Sequence, residues 1–271
     1  MRLQVEHHSR YRFTEPQARV VQLLRLFPDD SANQTVVSWR IDVDCDARLR
    51  ESRDGYGNIV RMLYAEGPLE TIGITVSGEV LLSDTPQPLG SDGEPLPPSY
   101  YLRTTPLSAA DAGMTTFAEQ AAGDGDDTVR AERVAAALRA RFAIERRRGD
   151  GVLSATNAFA GERASPRDLA QMLVACLRAI GLPARYVSGY SLGGCERRER
   201  PAPHGWAEVF VHDRGWVTLD PTIGGPAGPD YVRVAAALDS AGAAPISGTR
   251  IGHGDEELDV GVAIGLLGSE G

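Results

Sequence analysis

Lysine is missing altogether: all 28 basic residues of the 271-residue chain are arginine. Beside abundant alanine and 30 glycines, a GC-rich coding bias accounts for this without a functional cause. Cysteine is scarce. Cys45, Cys176 and Cys195 form an odd set with neither metal-ligand spacing nor a paired framework, which excludes a disulfide scaffold and favours a reducing compartment. No apolar run is long enough to span a bilayer. The start, Met1 to His8, lacks the apolar stretch of a secretory signal and passes straight into strand-like alternation, so the cytoplasm is the expected location. An excess of positive charge is also lacking. A net charge of −9 and a pI near 5.1 argue against non-specific binding to nucleic acid or an anionic membrane. What remains is ordinary: 42% hydrophobic and 24% charged residues, enough for one large or two modest globular domains.

Residues 1–85 read as all-β. Leu3, Val5 and His7 alternate with polar neighbours, and runs at 20–26, 36–43, 59–65 and 72–82 follow, with a tight turn at Asp54-Gly55-Tyr56-Gly57-Asn58. Such spacing predicts a β-sandwich. Residues 86–107 are a proline-rich linker, within which Tyr100-Tyr101-Leu102 is expected to pack across two domains. Residues 108–271 form the second domain with a C-terminal strand at 256–264. Helices are expected over 108–122 and 128–142. Gly123-Asp124-Gly125-Asp126-Asp127 between them is too short for a calcium loop and reads as a helix cap. His7 and His8 have no third ligand nearby and need no metal. Arg146-Arg147-Arg148 and Glu196 to Arg200 read as solvated loops.

The most informative stretch is 164–222. Leu169, Met172, Leu173, Cys176, Leu177 and Ile180 recur at helical spacing from Arg167 onward. Gly181 supplies a left-handed C-terminal residue, and Pro183 forbids continuation. A strand follows at 184–190, then His204-Gly205-Trp206, a strand at 207–211, a turn near Asp213-Arg214-Gly215, and Trp216 to Leu219 running into Asp220.

Arg185-Tyr186-Val187-Ser188-Gly189-Tyr190, His204-Gly205-Trp206 and Asp220-Pro221-Thr222, in this order, resemble the core of the bacterial transglutaminase-like family. The opening His7/His8 with Tyr11, Arg25-Leu26-Phe27-Pro28 and the Asp54–Asn58 turn resemble the β-rich region that precedes that core. The resemblance implies an α+β fold: an N-terminal β-sandwich, then a transglutaminase/papain-like core with a helix on an antiparallel sheet. It also implies a catalytic His204 oriented by Asp220, a loop at 157–161 forming one cleft wall, and no cofactor. The family's nucleophile is a cysteine at the helix start. Aligned without a gap, that position is Pro166.

Proline carries no side-chain heteroatom. Ser165-Pro166-Arg167-Asp168 instead reads as a structural helix start, with Ser at N-cap, Pro at N1 and an acid at N3. The expectation is therefore a degenerate member that binds a peptide or protein partner, with Ser165, Asp168, Trp206 and Tyr190 as binding residues. Two other readings stay open: an amide hydrolase or acyltransferase whose nucleophile has moved to Ser165 or Cys195, and a structural assembly component. Cys176 is expected in the core. Symmetric pairing about the turn sets His204 opposite residue 224, about 13 Å along the strand from Asp220 at ~3.3 Å per residue. A bulge or another register must close that gap.

Overall fold

The computed structural model describes residues 1–85, 87, 89–90, 94–145, 151–195 and 203–267, without the side chains of 194 and 195. The N-terminal part contains β1 (Arg2–Leu24), β2 (Gln34–Val43), β3 (Ala47–Arg53) and β4 (Ile59–Leu82). The short runs expected from the sequence fuse here. β1 and β4 are each single long strands that pair antiparallel, with register shifts between Arg12 and Arg19. Those irregularities let both strands pass from one layer to the other. On the far side of β4 from β1, residues 74–82 pair with β2 and residues 59–65 with β3, and Tyr11, Leu24, Leu63, Ile72 and Val76 share one apolar core. The expected sandwich is thus one sheet folded over itself.

The core follows as α1 (Ala112–Ala122), α2 (Asp127–Arg141), β5 (Ala143–Ile144), α3 (Ala155–Phe159), β6 (Arg163–Ala164), α4 (Pro166–Ala179), β7 (Ala184–Ser191), the short α5 (Leu192–Cys195), β8 (His204–Val211), β9 (Gly215–Asp220), β10 (Gly225–Pro226) and β11 (Tyr231–Ala237). Its sheet is antiparallel in the order β10-β9-β8-β7-β11. α4 packs on it, buried over residues 168–178 and flanked by α1, α2 and α3. The helix stops as its sequence demands: Gly181 takes φ +83°, its N–H reaches the Arg178 carbonyl, and Leu182 N–H reaches that of Leu177. The Asp126 carboxylate accepts from Thr128 and Val129 N–H, so the acidic run before α2 is the expected cap. The linker is not wholly irregular, since Pro98–Leu102 forms a 3₁₀ turn. Within it Tyr101 is fully buried, edge-on to Trp216 of the core and beside Tyr56 of the sandwich.

The last two strands correct the sequence reading. β12 (Ile246–Ile251) and β13 (Glu256–Leu266), assigned above to the second domain, both pair antiparallel with β1. Val262 of β13 packs with Leu3, Val5, Tyr190 and Val232 in a cluster spanning both domains. Alternation alone identifies a strand but not its sheet, which is why the partner was missed. Arg146–Asp150 and Glu196–Arg200, read as solvated loops, lie outside the described residues.

Candidate functional site

The hairpin of β8 and β9 places the two residues singled out by motif. Val211 pairs with Gly215 and Ala207 with Leu219, across a turn where Asp213 (φ 65°) and Gly215 (φ 95°) are left-handed. Continued along the strands, this register sets Asp220 beside Trp206, on the same sheet face as His204. The separation is one diagonal step of about 7–8 Å between strands, within reach of two side chains. The centre of the hairpin lies one residue earlier than symmetric reading about the turn suggests, and no bulge is needed.

His204 Nε2 lies 2.7 Å from Asp220 Oδ2. The same oxygen accepts from the Tyr231 hydroxyl at 2.6 Å, and Oδ1 accepts from Thr222 N–H at 2.7 Å. Burial raises the pKa of Asp220, but the bonds from His204, Tyr231 and Thr222 outweigh it and hold the carboxyl below its usual range. An ionised carboxylate can only accept, so Nε2 carries the proton of this bond. Among the described residues nothing hydrogen-bonds to Nδ1. The imidazole lies against the rings of Trp206 and Tyr231, at 6.1 and 6.0 Å between centroids, and those two rings meet edge-on at 5.2 Å. Tyr231 opens β11 and was not picked out by the sequence reading; no motif signals it.

Behind this group, on the same face of β8, Glu208 is buried and holds two arginines. Arg185 Nε reaches it at 2.6 Å and Arg233 Nε at 3.0 Å, while Arg185 also pairs with Glu94 of the linker. Arg185 lies over Trp216, its guanidinium carbon 3.9 Å from the ring centre. Burial raises the pKa of Glu208, and the two arginines bring it below the ordinary value. The stripe His204, Trp206, Glu208 is thereby rigid.

At the helix start, the Ser165 hydroxyl donates to Asp168 Oδ2 at 2.7 Å and accepts from Asp168 N–H at 3.2 Å, while Ser165 N–H donates to the same carboxylate at 3.0 Å. This is a complete capping box. Pro166 occupies the first helical position, where no intrahelical N–H bond is missed.

The other expected site residues fall apart from this group or behind it. Tyr190, expected to bind a partner, is a correction: it is buried between the domains, its hydroxyl 2.9 Å from His7 Nδ1. It packs with Leu3, Val5 and Val262 of the sandwich sheet. Trp206, also expected to bind a partner, packs with Val187, Ala236 and Tyr231 and is buried. Cys176 is core, and burial pushes its thiol up to about 12. The Cys195 side chain, the alternative nucleophile, lies outside the described residues.

Residues 3–81 match the bacterial transglutaminase-like N-terminal region, and residues 115–221 match the transglutaminase-like superfamily. An uncharacterised Mycobacterium tuberculosis protein is 28% identical over 296 residues, covering all of this chain and 94% of its own length. A Mycobacterium leprae protein is 27% identical over 98% of this chain. Among solved structures, a Cytophaga hutchinsonii protein described provisionally as a cysteine protease superposes with a TM-score of 0.79 over the whole chain and 92% of its own, at 16% identity. That likeness speaks to the fold. Among the described residues, no helix is long and apolar enough to cross a membrane.

Proposed function

The chain belongs to the transglutaminase-like superfamily, and we propose that it has given up thiol acyl transfer and binds a peptide or protein partner at what remains of the site. One observation carries this. The helix start is occupied by a closed cap of Ser165, Pro166 and Asp168, while the His204–Asp220 bond beside the core stays made. A cysteine at a helix N-terminus becomes nucleophilic because the helix dipole and free N–H groups favour its thiolate. Proline offers nothing to activate. Ser165 is a poor substitute, since its proton is held by Asp168 and its lone pair by the Asp168 N–H.

The test is chemical. Iodoacetamide, or an amide-mimicking electrophile, is expected to label no residue in a manner that depends on His204. Rapid labelling of Cys195 that disappears in His204→Ala would replace this reading with that of an active enzyme whose nucleophile has moved.

A further inference from the structure

His7 of β1 stands where the sandwich meets the core. It is 1% exposed, with Nδ1 at 2.9 Å from the hydroxyl of Tyr190 on β7 and Nε2 at 3.0 Å from Ser9 Oγ. Its strand partners are Val76 of β4 and Val262 of β13. The cluster spanning both domains sets Val5 and Val262 of the sandwich sheet against Tyr190, Val232 and Val234 of the core, and Trp39 of β2 lies 6.1 Å from Tyr190. Among the described residues no carboxylate faces the ring from any of these strands. The titratable neighbour that acts on it is His8, which alternates to the exposed face of β1, its Nδ1 at 3.1 Å from Thr75 Oγ1. Burial keeps the Tyr190 phenol protonated.

A neutral imidazole has one accepting and one donating nitrogen, which suits a hydroxyl on either side. Protonation makes both nitrogens donors. The hydroxyl that donated to the ring then loses its acceptor, and a charge sits among valines with no carboxylate opposite it. Parting the domains relieves both costs by bringing water to the ring. The two domains have separate cores, one around α4 and one inside the sandwich, so they can part without melting. We infer that His7 is an acid-operated latch: its protonation releases the sandwich from β7 and β11 while each domain keeps its own core. The inference does not require the site to bind a partner. Release uncovers the outer edge of β11, whose first residue, Tyr231, bonds Asp220.

Hydrogen exchange in the full chain tests it. The N–H groups of Arg233 and Ala236 donate across the seam to Gln34 Oε1 and Asn58 Oδ1, at 2.9 and 2.8 Å, and so report its opening. Protection is the intrinsic exchange rate divided by the observed one at each pH. Between about pH 7 and 4 it is expected to fall about 100-fold at both groups, because the ring titrates at about 4 in the closed seam and at 6.5 in the open one. The fall is expected to vanish in His7→Gln. The N–H groups of Leu173 and Cys176 in α4 are expected to stay at least ~10-fold better protected than the seam throughout. Equal protection in α4 and at the seam would mean that the domains separate only by unfolding together, and would overturn the latch. A fall that persists in His7→Gln would overturn it too. The ring-proton shift of His7, followed by NMR in the native chain, needs no variant: a midpoint near 4 is expected, and one near 6.5 overturns the inference.

Discussion

The side-chain amide of Asn58 bonds both backbone groups of Ala236: Nδ2 donates to the Ala236 carbonyl at 2.8 Å, and the Ala236 N–H donates to Oδ1 at 2.8 Å. Gln34 does the same for Arg233, at 2.9 Å in each direction. Two carboxamides of the sandwich thus finish the outer edge of β11, whose other edge pairs with β7. This edge would otherwise present unpaired backbone at the domain seam.

Asn58→Ala is therefore expected to destabilise the whole chain by about 2–4 kcal/mol, because it leaves one buried donor and one buried acceptor unmade. Urea melts followed by far-UV circular dichroism measure it. A change below about 0.5 kcal/mol would show that the amide does not hold the seam.

Two groups give separate pH windows. Burial, with the adjacent His8, lowers the pKa of His7 to about 4 from 6.5. The unfolded chain then binds the extra proton over most of the range between those values, so stability falls as pH drops from about 6.5 to 4 and levels off below. The contribution is on the order of 3 kcal/mol. Asp220 acts lower: its depressed folded pKa adds stability above the unfolded carboxyl value of ~3.9, and this is lost as pH falls through the folded pKa. Stability measured against pH should flatten between 6.5 and 4 in His7→Gln, with the acid limb retained. A slope unaltered by His7→Gln would count against the buried neutral imidazole.

Ser165→Ala should cost roughly 0.5–2 kcal/mol, the usual worth of an N-cap, and leave partner binding and electrophile labelling as they are. A fully stable variant that lost an amide-cleaving activity would restore Ser165 as a nucleophile.

Pro166→Cys should create a thiol reactive near neutral pH, because the helix dipole and a nearby imidazolium both favour the thiolate. Alkylation rate against pH, with and without His204→Ala, reads it. A thiol that titrates near ~8.5 in both backgrounds would mean that the helix start and His204 do not face one another.

Where local chemistry sets the answer, the sequence is readable. α4 is legible at both ends, since a serine, a proline and an acid start it and Gly181 stops it within its own span. The sandwich strands are legible as strands, but the fusion of two runs into β1 depends on how far an irregularity lets the chain bend, which residues 12–19 do not announce. The His204–Asp220 contact is half legible: the motif names both residues, while the one-residue choice of hairpin centre that joins them follows from the left-handed Asp213. Tyr231 and the Asn58–Ala236 bonds are illegible for one shared reason. Each depends on which elements become neighbours, and no periodicity records that.

The return of β13 to β1 sets an order of events during synthesis. Leu3 finds its partner Leu266 only after about 260 further residues have been made, which at ~5–20 residues per second leaves that edge of β1 open for roughly 10–50 s. Until then residues 3–13 of β1 can pair with β4 alone and remain a template for other nascent chains. The core, encoded between β4 and β12, has all that time to assemble first. β13 thus seals an edge that β1 exposes.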